Sequence, residues 1–63
     1  MTGKKLKKVR EFLQLNQSEF AKLIGIKAKN GLRTVRRYET GESPIPGSVE
    51  LVVQQIMQDK GMS

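Results

Sequence analysis

Apolar side chains recur at spacings of three and four residues in four separate segments of this chain. In the first segment Leu6, Val9 and Leu13 follow this spacing, and Phe12 widens the stripe. Such spacing places side chains on one face of an α-helix, whereas the alternation with a period of two that predicts strands is absent from the sequence. We therefore predict an all-α fold with helices at about residues 4–13, 17–24, 32–40 and 49–59.

The second segment has the clearest boundaries. Asn16 is a favourable N-cap residue, and Glu19 follows three positions later, as in a capping box. The apolar stripe that follows stops at Gly25, and glycine commonly ends a helix at such a position. The sequence therefore predicts a short helix followed by a tight turn.

The segment KAKNG, residues 27–31, is polar and basic and predicts a turn before the third helix. Leu32, Val35 and Tyr38 then recur at a spacing of three and are predicted to face the core, and Gly41 is predicted to end the helix. Two short helices joined by a turn that begins with glycine are typical of a helix-turn-helix.

A loop with two prolines precedes the fourth helix, for which Ser48 is the predicted N-cap residue. Its apolar residues form a wide stripe at helical spacing. They are Val49, Val52, Val53, Ile56 and Met57. We expect this stripe to cover the core formed by the first three helices.

The chain has 63 residues, which suffices for one domain, residues 1–63, with a small core. A domain of this size buries only about 60% of the surface that its unfolded chain exposes. The sequence has no cysteine or histidine, which excludes a disulfide framework and the usual zinc sites, so we expect no metal and no cofactor. It also lacks the common nucleophile-and-base pairs, and we do not expect an enzyme.

Twelve lysines and arginines outnumber six acidic residues, which gives a net charge of +6. A domain this basic commonly binds a polyanion such as DNA, RNA or an anionic membrane surface; the alternative is a charge excess that only keeps the protein in solution. No apolar run reaches the roughly 18 residues that a membrane span requires, and no signal peptide is recognised. We therefore expect no membrane association and a cytoplasmic location.

Three arginines lie close together in the third predicted helix. Arg33 and Arg37 are four positions apart and share one face, and Arg36 lies about 60° from Arg33 around the axis. A planar guanidinium group matches the O6 and N7 atoms of guanine and the oxygens of phosphate, and Thr34 adds a hydroxyl or methyl contact. This helix is therefore a candidate to enter the major groove of DNA.

The alternative for the same arginines is a solvated helix face with no ligand. In that arrangement Arg36 pairs with Glu39, or Arg37 pairs with Glu42. Such pairs are common on helices, and an isolated arginine cluster does not distinguish the two interpretations.

Two segments resemble the Cro/phage-repressor, or XRE-type, helix-turn-helix family. LNQSEFAKLIGI, residues 15–26, resembles the second helix and turn of that family. TVRRYETGE, residues 34–42, resembles its third helix, which ends in an apolar residue, Glu, any residue and Gly. The resemblance extends over about residues 4–57. It implies a small all-α bundle of four helices, or five, of the lambda-repressor-like DNA-binding type.

The resemblance also implies roles for individual residues. Gln17, at the start of the second helix, matches a residue that binds a backbone phosphate. Arg33, Thr34 and Arg37 match the base-reading positions of the third helix, and Arg36 is expected to contact a base or a phosphate.

Arg10 and Glu39 match a pair that in some relatives forms a partly buried ion pair between the first and third helices. The chain also departs from the family, because it has about four more residues before the third helix than the common pattern. We expect these residues to enlarge the turn at Lys27–Asn30 and to change how the third helix enters the groove. Lys27, Lys29 and Asn30 are therefore further candidates for DNA contacts.

A second departure is that four helices are predicted where many relatives have five, which predicts uncovered apolar surface. The candidates for a homodimer contact are Leu23, Ile45, Leu51 and Met57, and the alternative is that some of them fill the core. A two-fold dimer reads a palindrome whose half-sites lie about 34 Å apart.

Our leading interpretation is a sequence-specific DNA-binding transcriptional regulator of the small phage or mobile-element repressor type. It would bind a palindromic operator in double-stranded DNA as a homodimer in the bacterial cytoplasm, with no small-molecule ligand. The alternatives are an RNA-binding autoregulator and an antitoxin-type interaction module. All three aromatic residues fall on predicted core stripes, which disfavours RNA, because RNA recognition commonly uses exposed aromatic platforms.

Overall fold

The computed structural model describes residues 1–26 and 28–61. They form four helices: α1 Gly3–Phe12, α2 Gln17–Leu23, α3 Ala28–Thr40 and α4 Gly47–Asp59. No strand occurs in these two ranges, so the predicted all-α fold of four helices is confirmed. None of the helices there is long and apolar enough to cross a membrane.

Side-chain caps start the first two helices. The Lys5 N–H donates to the hydroxyl of Thr2 at 3.1 Å. The Glu19 N–H donates to Asn16 Oδ1 at 2.7 Å, and the Asn16 N–H donates to Glu19 Oε1 at 2.9 Å. These bonds satisfy backbone donors that have no partner inside a helix, and the predicted capping box is confirmed.

The third helix is longer than the sequence predicted. It begins at Ala28 rather than at Leu32, so the turn expected at residues 27–31 is wrong for residues 28–31; Lys27 lies outside the described residues. Gly31 has a packing role instead of a turning role. A Cβ atom on Gly31 would lie 2.6 Å from the Ala21 Cβ, so the missing side chain lets α3 approach α2 closely.

All four helices contribute to one apolar core. Seven residues are buried there: Leu6, Val9, Phe20, Ala21, Ile24, Val35 and Val53. In α3 the inward positions belong to Gly31 and Val35, with Tyr38 partly buried beside them. This register differs from the predicted one, in which Leu32, Val35 and Tyr38 all faced the core.

Three residues predicted to face the core are exposed: Leu32 of α3, Phe12 of α1 and Val52 of α4. Leu32 is 53% exposed, because Gly31 and Val35 hold the inward side of α3 and turn Leu32 outward. Phe12 is 51% exposed. It lies about 60° beyond Val9 and about 120° from Leu6 around α1, at the edge of the apolar stripe.

The fourth helix begins earlier than predicted and without a side-chain cap. Pro46, not Ser48, occupies the N-cap position, with φ −62° and ψ 150°. Its carbonyl accepts the first helical hydrogen bond, from the Glu50 N–H at 3.0 Å. The ring of proline already fixes φ near this value, so the backbone is ordered for helix entry without a capping side chain.

The third helix is the central element, because α1 and α2 both pack against it. At the start of α1 the approach is again through a glycine. A Cβ atom on Gly3 would overlap the carbonyl oxygen of Tyr38 and lie 2.8 Å from that of Glu39. Two neighbouring helices therefore hold α3 from its inward side and leave its other side to solvent.

Candidate nucleic-acid interface

The solvent side of α3 carries most of its charge. The exposed residues of this helix are Lys29, Asn30, Leu32, Arg33, Arg36, Arg37 and Thr40. At about 100° per residue, its four cations fall within an arc of about 100°. We call Lys29, Arg33, Arg36 and Arg37 the cationic face of α3. It lies opposite Gly31 and Val35, which pack on the other helices.

A hydrogen-bonded cluster ties α3 to the first two helices. Arg10 donates from Nε to Glu39 Oε2 at 2.6 Å and from Nη2 to Glu39 Oε1 at 3.2 Å. Its Nη1 donates to the carbonyl of Leu15 at 3.0 Å, and Gln17 Nε2 donates to Glu39 Oε1 at 3.1 Å. The ion pair that the resemblance implied is therefore present, and Gln17 extends it to α2.

The Arg10–Glu39 pair is largely shielded from water, with side-chain exposures of 14% and 5%. The hydrogen bond from Arg10 to Glu39 raises the pKa of Arg10, and this effect outweighs the desolvation that lowers it. A raised pKa means that the contribution of the Arg10 charge to stability is complete at neutral pH and is lost as the pH rises into the strongly alkaline range. At neutral pH the pair therefore holds α3 against α1.

One arginine of the cationic face has an acidic neighbour. Arg37 Nε lies 3.1 Å from Glu42 Oε2, and both side chains are exposed to water. This is one of the two pairs that the solvated-face alternative predicted. The other does not form, because Glu39 is bound to Arg10. For Arg33 and Arg36, no carboxylate within residues 1–26 and 28–61 lies at ion-pair distance.

An open depression of about 480 Å³ runs beside this helix. Its lining consists of Leu32, Arg33, Arg36, Arg37, Thr40 and Glu42. Three guanidinium groups thus border one concavity, and each carries up to five N–H donors and a permanent positive charge. The depression suits an anionic ligand whose oxygens accept hydrogen bonds.

Several predicted DNA-binding residues lie in surroundings that differ from those predicted. Lys29 and Asn30 lie in the first turn of α3 and share its exposed side, so they do not form an enlarged turn. Thr34 is half-buried, about 60° beyond Arg37 toward the core, and is therefore poorly placed to read a base. The Gln17 amide is held by Glu39, which leaves one of its N–H groups for a phosphate.

A second basic surface lies on α1. Lys4, Lys7 and Lys8 are exposed, and none has a carboxylate at ion-pair distance in the part of the chain that the structure describes. Lysines are flexible point charges that suit phosphate better than base edges. The chemistry of this surface therefore suits contact with phosphate rather than with base edges.

The four candidates for a dimer contact separate into two pairs. Leu51 is 68% exposed and Leu23 is 48% exposed, so both remain available. Ile45 and Met57 are partly buried and pack against the core. Val52, which was predicted to be part of the core stripe, is 40% exposed beside Leu51.

Comparison of the chain with protein-family models, with curated proteins and with solved structures finds no match. Two features of the site were not predicted from the sequence: the bond from Gln17 to Glu39 and the early start of α3. The small residues Ala21 and Gly31 on either side of Gly25 were the available signal for the second, because small residues mark places where two backbones approach closely.

Proposed function

We propose that this protein is a sequence-specific DNA-binding transcriptional regulator that places α3 in the major groove of a double-stranded operator. The observation that carries the proposal is the cationic face of α3, on a helix that two others hold from behind. The major groove of B-form DNA is about 12 Å wide and admits one α-helix. A helix held rigidly on one side and cationic on the other suits that groove.

Charge repulsion alone does not identify the ligand. A like-charge pair four residues apart, such as Arg33 and Arg37, destabilises a helix by only about 0.2–0.5 kcal/mol. A protein tolerates that cost without any partner, so a solvated face remains the competing explanation. Two observations favour a bound ligand over a solvated face. The cations lie on one side of the central helix, and that side borders a depression lined by guanidinium groups.

The proposed roles follow from the chemistry of each group. Arg33 and Arg37 read guanine through bidentate hydrogen bonds, and Arg36 binds a base or a phosphate. Lys29 and Gln17 bind phosphates, and the lysines of α1 strengthen attraction to any sequence. The resemblance to XRE-type repressors supports this division between reading and anchoring residues.

We propose further that the protein binds a palindromic operator as a homodimer, as small phage-type repressors in the bacterial cytoplasm do. Two copies that each carry a charge of +6 repel one another. The fourth helix is the one with no lysine or arginine, and it exposes Leu51 and Val52. Contact through α4 therefore buries apolar surface and brings no cations of the helix together.

The test is selection of bound duplexes from a random DNA pool, with a random RNA pool as competitor. We expect a short palindromic motif that contains guanine in each half-site. Enrichment of a motif must disappear in the Arg33→Ala/Arg37→Ala variant while weak binding to bulk DNA persists. Equal loss of selected and bulk DNA binding would refute the base-reading role.

RNA binding is the second candidate, and the exposure of Phe12 favours it. The sequence had placed all three aromatic residues in the core, but a half-exposed phenylalanine can stack on an unpaired base. Preferential recovery of RNA, together with its loss in Phe12→Ala, would identify the protein as an RNA-binding regulator. We expect Phe12→Ala to leave duplex DNA binding unchanged.

A further inference from the structure

Glu42 lies beside the cationic face of α3, where a carboxylate opposes the binding of a polyanion. It borders the same depression as Arg33, Arg36 and Arg37, and its Oε2 lies 3.1 Å from Arg37 Nε. The two side chains are 67% and 44% exposed, so water screens the pair. The Glu42 carboxylate repels phosphate and so lowers the affinity for a polyanion. A gain in binding affinity therefore does not explain why a carboxylate lies here.

The backbone after α3 holds Glu42 close to Arg37. Gly41 has φ +82°, a left-handed conformation that glycine adopts readily and that reverses the chain direction. The carbonyl of Arg37 accepts the Ser43 N–H and the Thr40 hydroxyl, each at 3.2 Å. The ion pair is therefore prearranged by the turn and does not depend on side-chain attraction alone.

We propose that Glu42 is a positioning residue that sets the sequence specificity of Arg37, an inference that rests on the proposed function. Glu42 approaches the Nε side of the guanidinium group. The terminal Nη1 and Nη2 atoms therefore stay available, and these two nitrogens together reach the O6 and N7 atoms of guanine. Glu42 thus orients the group without occupying its reading edge.

The contact between Glu42 and Arg37 has a different effect on binding to a matched sequence than on binding to an unmatched one. On a guanine, Arg37 keeps its ion pair and makes the bidentate contact at the same time. On another sequence, Arg37 has only phosphates to bind, and there Glu42 competes for the guanidinium group and repels the phosphate. Exposed ion pairs shift an equilibrium by up to about fivefold, so Glu42 changes the ratio of specific to non-specific affinity rather than binding as a whole.

The experiment measures two affinities at one salt concentration: that for the duplex selected by the wild-type protein, and that for a scrambled duplex of the same composition. We expect Glu42→Gln to strengthen binding to the scrambled duplex more than to the selected one and to lower their ratio by about two- to fivefold. In the Arg37→Ala background, Glu42→Gln must leave the ratio unchanged, because Glu42 acts through Arg37.

Glu11→Gln is the matched control, because Glu11 is an exposed carboxylate on α1 that forms no ion pair among the described residues. It removes the same charge and is expected to strengthen both affinities alike. A Glu42→Gln ratio equal to that of wild type, or an equal fall of the ratio with and without Arg37, overturns the positioning role and leaves the proposed function intact. If the wild-type protein enriches no duplex at all, the proposed function fails first and this inference falls with it.

Discussion

Two glutamates near the end of α3 pair with arginines in opposite surroundings. Glu39 is almost shielded from water and accepts hydrogen bonds from Arg10 and Gln17, whereas Glu42 stands in solvent beside Arg37. Breaking a buried ion pair costs about 3–5 kcal/mol, because the remaining charge is left without a partner. An exposed pair contributes about 1 kcal/mol or less. The same chemical group therefore has a structural role at one position and no large structural role at the other.

We expect Glu39→Gln to lower the free energy of unfolding by about 3 kcal/mol, because Arg10 then loses its counter-charge. In a domain of this size such a loss lowers Tm by roughly 12–24 °C. Glu42→Gln makes the same substitution at the exposed pair and is expected to lower Tm by less than about 8 °C. Thermal unfolding followed by circular dichroism measures both, and similar Tm values for the two variants would show that the shielded cluster does not brace α3.

Arg33 and Lys8 are both exposed cations, but the proposed function gives them different effects. Arg33→Ala is expected to reduce the preference for the selected duplex over other sequences by about 1–3 kcal/mol, the discrimination of one bidentate base contact. Lys8→Ala is expected to weaken binding to all sequences alike and to make the slope of log K against log salt shallower by about 0.9. Titrations of both variants at several salt concentrations test this, and a uniform loss on removal of Arg33 would assign it to phosphate.

At the scale of the helices, the sequence predicted those parts whose signals are local. The capping box fixed the start of α2, and apolar spacing located α1 and α4 to within about two residues, as is usual for helix ends. The start of α3 was misread because Asn30–Gly31 is a turn signal in isolation. Contact between Gly31 and Ala21 decides the outcome, and that contact exists only after α2 and α3 have packed.

The candidate site was likewise predictable where it depends on local spacing and not where it depends on tertiary packing. Helical spacing alone brings Arg33, Arg36 and Arg37 to one side of α3, and the structure agrees. Lys29 and Asn30 can be assigned to that side only if the start of α3 is predicted correctly. That start depends on tertiary packing, which the local sequence does not reveal. The position of Glu42 depends on the backbone reversal at Gly41, and the sequence offered that pair only as one alternative among others.

Gly31→Ala tests the packing of α2 against α3. The new Cβ atom would meet the Ala21 Cβ at 2.6 Å, and such overpacking costs about 1–3 kcal/mol. The higher helix propensity of alanine offsets about 1 kcal/mol of this cost, so we expect a net loss of stability of up to about 2 kcal/mol. Urea unfolding monitored by circular dichroism gives the value.

Gly47→Ala is the matched control, because it is the same substitution in the first turn of α4. A Cβ atom there has nothing within 4 Å. We expect this variant to be as stable as the wild type or more stable, by up to about 1 kcal/mol. A stabilising effect at both glycines would mean that α2 and α3 separate easily, and it would contradict close packing as the reason why α3 begins at Ala28.

For the whole molecule, size limits how two copies could share the proposed operator. The domain measures 29 × 19 × 19 Å. Half-sites in a palindrome lie about 34 Å apart, so two copies in the proposed dimer can meet only when the long dimension of each lies along the duplex. Since this spacing exceeds that dimension, the proposed contact is narrow and is expected to depend on a few side chains such as Leu51.

We expect Leu51→Lys to abolish the proposed dimer, because it replaces the single, exposed leucine of α4 with a cation in a protein that already carries +6. Leu23→Lys adds the same charge to α2 and serves as the comparison. Sedimentation with and without the selected duplex measures the assembly state of each variant. If Leu23→Lys dissociates the dimer and Leu51→Lys does not, the contact lies on α2 instead.

The division of α3 into a packed side and a solvent side also determines which residues can change during evolution without loss of the fold. The residues that keep the helix in place, Gly31, Val35 and Glu39, do not belong to the cationic face. A change at Arg33 or Lys29 leaves the packed side of α3 unaltered, so under the proposed function a lineage could acquire a new target by exchanging outward side chains while its architecture stays constant.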